Sequence, residues 1–205
     1  MANRLRQLLK ADRQGDDLQL KLIDGLPTGV VDETVLFTVD SRTARAIRRN
    51  RDLIAIEWMN QLRLAIDAEP LSLADAQIQL YGLSSQPQGE LSGLASWYGP
   101  YFHGRLTAAG EIFDQNELTA AHPSLPFDTF LRVTNQETGR SVIVRINDRG
   151  PYVGTRSLDL SRQAARVLGS EDSGVVNYEA VILKPQPVVA QERPSPDAIA
   201  LNNTR

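Results

Sequence analysis

Residues 141–151 read SVIVRINDRGP, and this stretch decides the fold. Val142, Val144 and Ile146 share one face of an extended strand, while Ser141, Ile143, Arg145 and Asn147 share the other. Asp148 continues the apolar row. A strand that runs on without a bulge delivers this carboxyl to the end of a core-facing row. Partial desolvation there keeps it uncharged near neutral pH, as a general acid requires. Arg149-Gly150-Pro151 then forces a turn, which puts Asp148 at a rim open to substrate. The same residues also fit a plain turn aspartate, or an ion pair in which the Arg149 guanidinium holds Asp148 charged.

Working outward, residues 91–184 consist of short alternating segments punctuated by Gly, Pro and Asn: GLASWYG (93–99), FLRVTN (130–135) and YEAVIL (178–183), with a helix over SRQAARVLG (161–169). Closure into a barrel lets so many short strands avoid exposed edges. Ahead of it, residues 1–81 mix periods. LQLKLIDG (18–25) and TVLFTVD (34–40) alternate as strands, and SRTARAIRRN (41–50) opens with Ser41 as a helix N-cap. LIAIEW (53–58) reads as a buried strand or helix start, and SLADAQIQLYG (72–82) begins with Ser72 and Asp75 in capping-box spacing. This is a small α+β unit, starting from an N-terminal helix with Leu5, Leu8 and Leu9 on one face. Residues 82–90, GLSSQPQGE, have linker composition, and the stretch 185–205, with Pro185, Pro187, Pro194 and Pro196, reads as an extended or disordered tail.

Composition narrows the function classes. No run approaches the roughly 18 apolar residues of a membrane span, and the N-terminus has no apolar signal region, so an exported chain is either trimmed at this end or the mature part of a longer precursor. The absence of cysteine removes disulfides, thiolate nucleophiles and thiol lipidation. A formal net charge of −3 argues against a nucleic-acid binder. Arg42, Arg45, Arg48, Arg49 and Arg51 gather in one helical region, where a solvated face is favoured over a polyanion site. There is no Gly-rich phosphate loop, nucleophile elbow, HExxH or EF-hand, and no cofactor is expected.

The candidate chemistry sits in the second half. His122, in LTAAHPSLPF (118–127), occupies a loop and is either a surface hydrogen-bonder or a partner for a nearby carboxylate. His103, among aromatic residues, is the weaker candidate, and Glu111 is a turn carboxylate or a second acid/base group. Trp97, Tyr98, Tyr101 and Phe102 form the densest aromatic cluster. Such rings stack on sugar C–H faces or pack in cores; parity favours the core for Trp97 and substrate for Tyr98. His103, His122, Glu111 and Asp148 lack metal-ligand spacing, so no metal site is expected.

Taken together, GLASWYGPYFHGRLTAAGEIF (93–113), LTAAHPSLPF, VIVRINDRGP (142–151) and SLDLSRQAARVLG (157–169) resemble the rare lipoprotein A (RlpA) family of lytic transglycosylases. The match runs in order over 91–184, and the segment before it resembles the extra domain of cyanobacterial members. The resemblance implies a mainly β fold, a six-stranded double-psi β-barrel preceded by a small α+β domain. It implies Asp148, His122 and Glu111 as catalytic residues, with Tyr98, Trp97, His103, Asn147 and Arg149 against the saccharide. The implied reaction is endolytic cleavage of the MurNAc-GlcNAc bond of peptidoglycan, on peptide-poor strands, by a periplasmic monomer that meets cell-division proteins. A glycoside hydrolase using Glu111 and Asp148, or a non-catalytic wall-binding module, is the alternative.

Overall fold

A computed structural model describes residues 14–186, so the expected N-terminal helix and most of the expected tail lie outside the described residues. Strands β1 (Leu18–Ile23), β2 (Leu26–Val31) and β3 (Thr34–Thr38) form an antiparallel sheet in chain order. Helices α1 (Ser41–Ile47), α2 (Arg51–Leu64) and α3 (Leu73–Tyr81) follow. Leu18, Leu20 and Phe37 from the sheet close a core with Ile54, Met59 and Leu80 from the helices. LIAIEW therefore lies inside α2, with Ile54, Ala55 and Ile56 buried in this core and Leu53 packed toward the barrel core. The α1 cap is Asp40, whose carboxylate accepts the Thr43 N–H at 2.7 Å, one residue before the expected Ser41. At α3 the expected Ser72–Asp75 pair forms, with the Asp75 N–H donating to Ser72 Oγ.

Six strands close a barrel in the order β4-β8-β5-β7-β6-β9. They are β4 (Glu90–Trp97), β5 (Thr119–Ala121), β6 (Phe130–Asn135), β7 (Ser141–Asp148), β8 (Arg156–Leu160) and β9 (Val176–Leu183). The pairs β4–β8 and β5–β7 are parallel and the other four antiparallel. Val142, Val144 and Ile146 point inward as their parity predicts, meeting Leu131, Val133, Leu158 and Leu160. One end of the barrel is packed by α4 (Arg162–Leu168), capped by Ser161 and ended by Gly169 at φ +76°, a left-handed turn that suits glycine.

Two features depart from the alternating pattern. Ile143, on the strand face opposite Val142, Val144 and Ile146, is fully buried beneath α3 with Leu83 and Leu183. β5 is too short to pair with that part of β7, and the Gln77 amide takes the strand's place: it accepts the Ile143 N–H and donates to the Ile143 carbonyl, both at 2.8 Å. Residues 82–90 are pinned rather than free-running. Leu83 is buried and bridges to Pro185, Gln88 N–H donates to Ile182, and Ile182 N–H donates to Gly89. Among the described residues no helix is long and apolar enough to cross a membrane.

Candidate active site

Asp148 ends β7 at the barrel mouth. Ala120 pairs with Ile146 but Ala121 pairs with Asp148, so a bulge at Asn147 breaks the register on which the uninterrupted-strand expectation rested. The carboxyl is partly buried and surrounded by donors. Its Oδ1 accepts the N–H groups of Ala108 and Arg149, each at 2.8 Å, and its Oδ2 meets the Tyr98 hydroxyl at 2.9 Å. Hydrogen bonds, rather than an apolar surround alone, thus define this carboxyl's environment. Burial, then the nearby Asp148, pushes the Tyr98 phenol well above its ordinary range, so it keeps its proton and donates. The Tyr98 ring is wedged against Phe102 and Phe113.

His122 follows β5 directly, and its backbone N–H donates to the Asp148 carbonyl at 3.2 Å. Nδ1 accepts the N–H groups of Ser124 and Leu125, which leaves Nε2 to carry the proton of the neutral ring. Burial, then the charge of Arg149, lowers the ring's pKa below its ordinary 6.5. The Arg149 guanidinium sits 3.7 Å above the Phe127 ring centroid and reaches the carbonyl oxygens of His122 and Asp148. It makes no ion pair with the Asp148 carboxylate, so that reading of the turn is replaced by a cation–π contact.

Glu111 has a different surround. Arg145 forks onto it with two 2.8 Å bonds, and Asn147 Nδ2 donates to it at 3.0 Å. The Arg145 bonds, ahead of the Asn147 bond, pull Glu111 down to about 2, and it stays a carboxylate throughout the neutral range. The Glu111 carbonyl accepts the Thr107 N–H, and the Asn147 carbonyl accepts the Ala109 N–H, so the 107–111 turn is tied at both sides of Ala108. Glu111 therefore holds the loop that supplies a donor to Asp148. Asn147, expected at the saccharide, is buried with its amide given to Glu111.

The remaining expected residues lie apart from this centre. Trp97 packs on the barrel core and donates Nε1–H to the Glu171 carbonyl at 3.1 Å, the core placement that its parity favoured. His103 Nδ1 accepts the Gln115 N–H and faces Asp114 at 3.6 Å; it contacts none of Asp148, His122 or Glu111.

A family model described as lytic transglycolase matches residues 90–180, which are the barrel from β4 to the middle of β9. The barrel is thus similar to the lytic transglycolase family. A Synechocystis protein named "Probable endolytic peptidoglycan transglycosylase RlpA" is 43% identical over 160 residues, covering 75% of this chain and 50% of that protein. Its aligned length exceeds the barrel, so the likeness extends into the N-terminal unit. The Aquifex aeolicus protein of the same name is 54% identical over 46% of this chain and 42% of its own length. The Pseudomonas aeruginosa "Endolytic peptidoglycan transglycosylase RlpA" is 43% identical over 58% of this chain and 36% of its own length. The chain thus spans half or less of the length of these curated relatives.

Several site residues of this barrel escape the sequence reading. Arg145 shares the strand face of Asn147, and its charge on that row is the available signal for an acidic partner. Ala108 acts through its backbone and has no side-chain signature. Tyr152, two residues beyond Gly150, stands 78% exposed close to Tyr98, and an aromatic after a Gly-Pro turn was a readable cue. Leu106 and Ile112 bridge to each other and are exposed on the rim, so with Tyr152 they offer apolar surface at the mouth.

Proposed function

We propose that this chain is an endolytic peptidoglycan lytic transglycosylase of the cell envelope, in the periplasm, cutting the β-1,4 bond between MurNAc and GlcNAc on peptide-poor strands and leaving 1,6-anhydro-muramic ends. The observation that carries this reading is the Asp148 carboxyl at the barrel mouth, with donors fixed on both oxygens and His122 alongside. The names of the relatives supply the substrate, and the envelope location follows from that substrate. The resemblance further implies that the chain acts as a monomer and meets cell-division proteins.

Two backbone donors occupy Oδ1, so the acid form carries its proton on Oδ2, the oxygen shared with Tyr98. That proton passes to the glycosidic oxygen as the C1–O bond breaks with oxocarbenium character. The carboxylate created in this step is the form that three donors stabilise. It then takes the proton of the muramic C6 hydroxyl as that oxygen closes on C1, which returns Asp148 to its starting state without consuming water. His122, with Nε2–H free, orients the reacting oxygens. Tyr98 and Tyr152 flank the sugar and the Arg149 N–H positions Asp148, whereas Asn147, Trp97 and His103 are engaged with other groups of the protein.

The hydrolase alternative needs Glu111 to carry or accept a proton near neutrality, and a carboxylate held at about 2 by Arg145 is a poor base and no acid there. Purified sacculi and peptide-stripped strands digested by wild type should release products one water lighter than hydrolytic ones. Asp148→Asn should lower the rate by about 10²–10⁴-fold, and Glu111→Gln by less. Reducing ends in place of anhydro ends would return the hydrolase to favour. Strand binding with no soluble product, unchanged in Asp148→Asn, would reduce the chain to a wall-binding module.

A further inference from the structure

Beside Glu111 and Asn147 the barrel runs into the N-terminal unit through two adjoining recesses. The first, about 320 Å³, is lined by Glu111, Arg145 and Asn147 at one end and by Arg51, Asp114 and Glu117 at the other. The second, about 410 Å³, shares Arg51, Asp114 and Glu117 and adds Arg45, Arg48, Arg49 and Arg166. It therefore gathers five guanidinium groups against two carboxylates, in a protein whose formal net charge is −3. Arg49 is engaged by Glu57 at 2.5 Å, Arg166 by Glu171 at 2.8 Å, and Arg51 loosely by Glu117 at 3.9 Å. Arg45 and Arg48 have no acidic partner among the described residues, and both are exposed. Like charges held together in a concavity repel one another, and neither of these side chains offsets that repulsion with an ion pair of its own. The sequence pattern alone favoured a solvated helix face for these arginines. Arg42, Arg45, Arg48 and Arg49 are indeed exposed, and Arg45, Arg48 and Arg49 line a recess shared with the 114–117 loop of the barrel, to which Asn50 is bound through the Asn116 carbonyl and Glu117.

We propose that the Arg45–Arg48 recess is a binding site for a carboxylate carried by the wall strand, extending the cleavage site across the N-terminal unit. The inference rests on the proposed action on peptidoglycan. The sugar backbone of that polymer is uncharged. Its anionic groups are carboxylates: the lactyl carboxyl of each muramic residue, free once the stem peptide has been removed, and the carboxyls of the stem itself where it remains. A guanidinium matches either through paired N–H donors, and an arginine pair next to the cleft favours strands that present one. A free lactyl group on every muramic residue gives peptide-poor strands the denser array of such anions near the backbone.

The test compares wild type with the Arg45→Gln/Arg48→Gln double variant on three substrates: peptide-stripped strands, the same strands with their lactyl carboxyls amidated, and peptide-bearing strands. KM from anhydro-product release and strand binding by fluorescence anisotropy are read in parallel, with melting temperature as the folding control. On stripped strands the double variant should raise KM and weaken binding by about tenfold, an effect that added salt diminishes. On amidated strands the two proteins should bind alike. A loss confined to peptide-bearing strands supports the recess and assigns its carboxylate to the stem. Equal binding of all three substrates by wild type and the folded double variant overturns the proposal. If wild type releases no anhydro product, the activity reading fails, while the binding comparison still decides the recess.

Discussion

Asp148 and Glu111 are both carboxylates on the barrel rim, and their surrounds assign them different work. Asp148 meets two main-chain amides and a phenol, whereas Glu111 meets a guanidinium fork. Because Glu111 is lowered from 4.5 to about 2, its contribution to stability is complete above 4.5 and is lost as pH falls through about 2. Its side chain is 42% exposed, so solvent screening limits that contribution to about 1 kcal/mol. The melting-temperature gap between wild type and Glu111→Gln should therefore narrow as pH drops from 4.5 toward 2; a gap that stays constant contradicts the fork's role. For His122, whose pKa burial and Arg149 lower, Arg149→Gln should move the ring's titration midpoint upward, toward 6.5. With only two histidines in the chain, NMR can follow it directly, and an unmoved midpoint removes Arg149 from the account. At this scale the sequence revealed that Val142, Val144 and Ile146 point into the barrel. It could not reveal the bulge at Asn147 or the Arg145–Glu111 fork, because the fork joins residues 34 positions apart.

Among the elements, helices with polar caps were the most legible. Ser72, Ser161 and Gly169 mark their ends by local hydrogen bonding that any reader of the chain can anticipate. β2, β5 and β8 were not read. β2 contains Pro27 and Gly29, which interrupt alternation, and Gly29 leaves room for the Phe37 ring that a Cβ would strike at 2.4 Å. β5 spans only Thr119–Ala121, all buried, too short to show a period. The contact between α3 and β7 yields its own prediction. Gln77→Met keeps the bulk of the side chain but leaves the Ile143 N–H and C=O buried without partners, at about 1–3 kcal/mol for each group. Urea unfolding should show a loss of about 2–6 kcal/mol, and a loss below about 1 kcal/mol means another group satisfies that backbone.

For the whole molecule, the two sequence-defined units share more than a tether. Leu83, Ile143 and Leu183 form one buried cluster with Ile78 and Tyr81 of the helical part packed against it. The linker composition of 82–90 hid this, since Gly, Ser and Gln say little about the single leucine that anchors the segment. A chain beginning at Gly82 should therefore expose the outer apolar face of β7, bind a hydrophobic dye and unfold at lower temperature than the full chain. If it melts at the same temperature without binding dye, the N-terminal unit contributes nothing to the barrel's stability.

Two of the three hydrogen bonds to the Asp148 carboxyl come from peptide links at Ala108 and Arg149, and only a proline codon can delete such a donor. A loss-of-function screen would accordingly be quiet at position 108 and loud at Thr107, Glu111 and Arg145, which keep that link aimed. Genetic sensitivity here maps the scaffolding of the proton-transfer centre rather than the atoms that touch it.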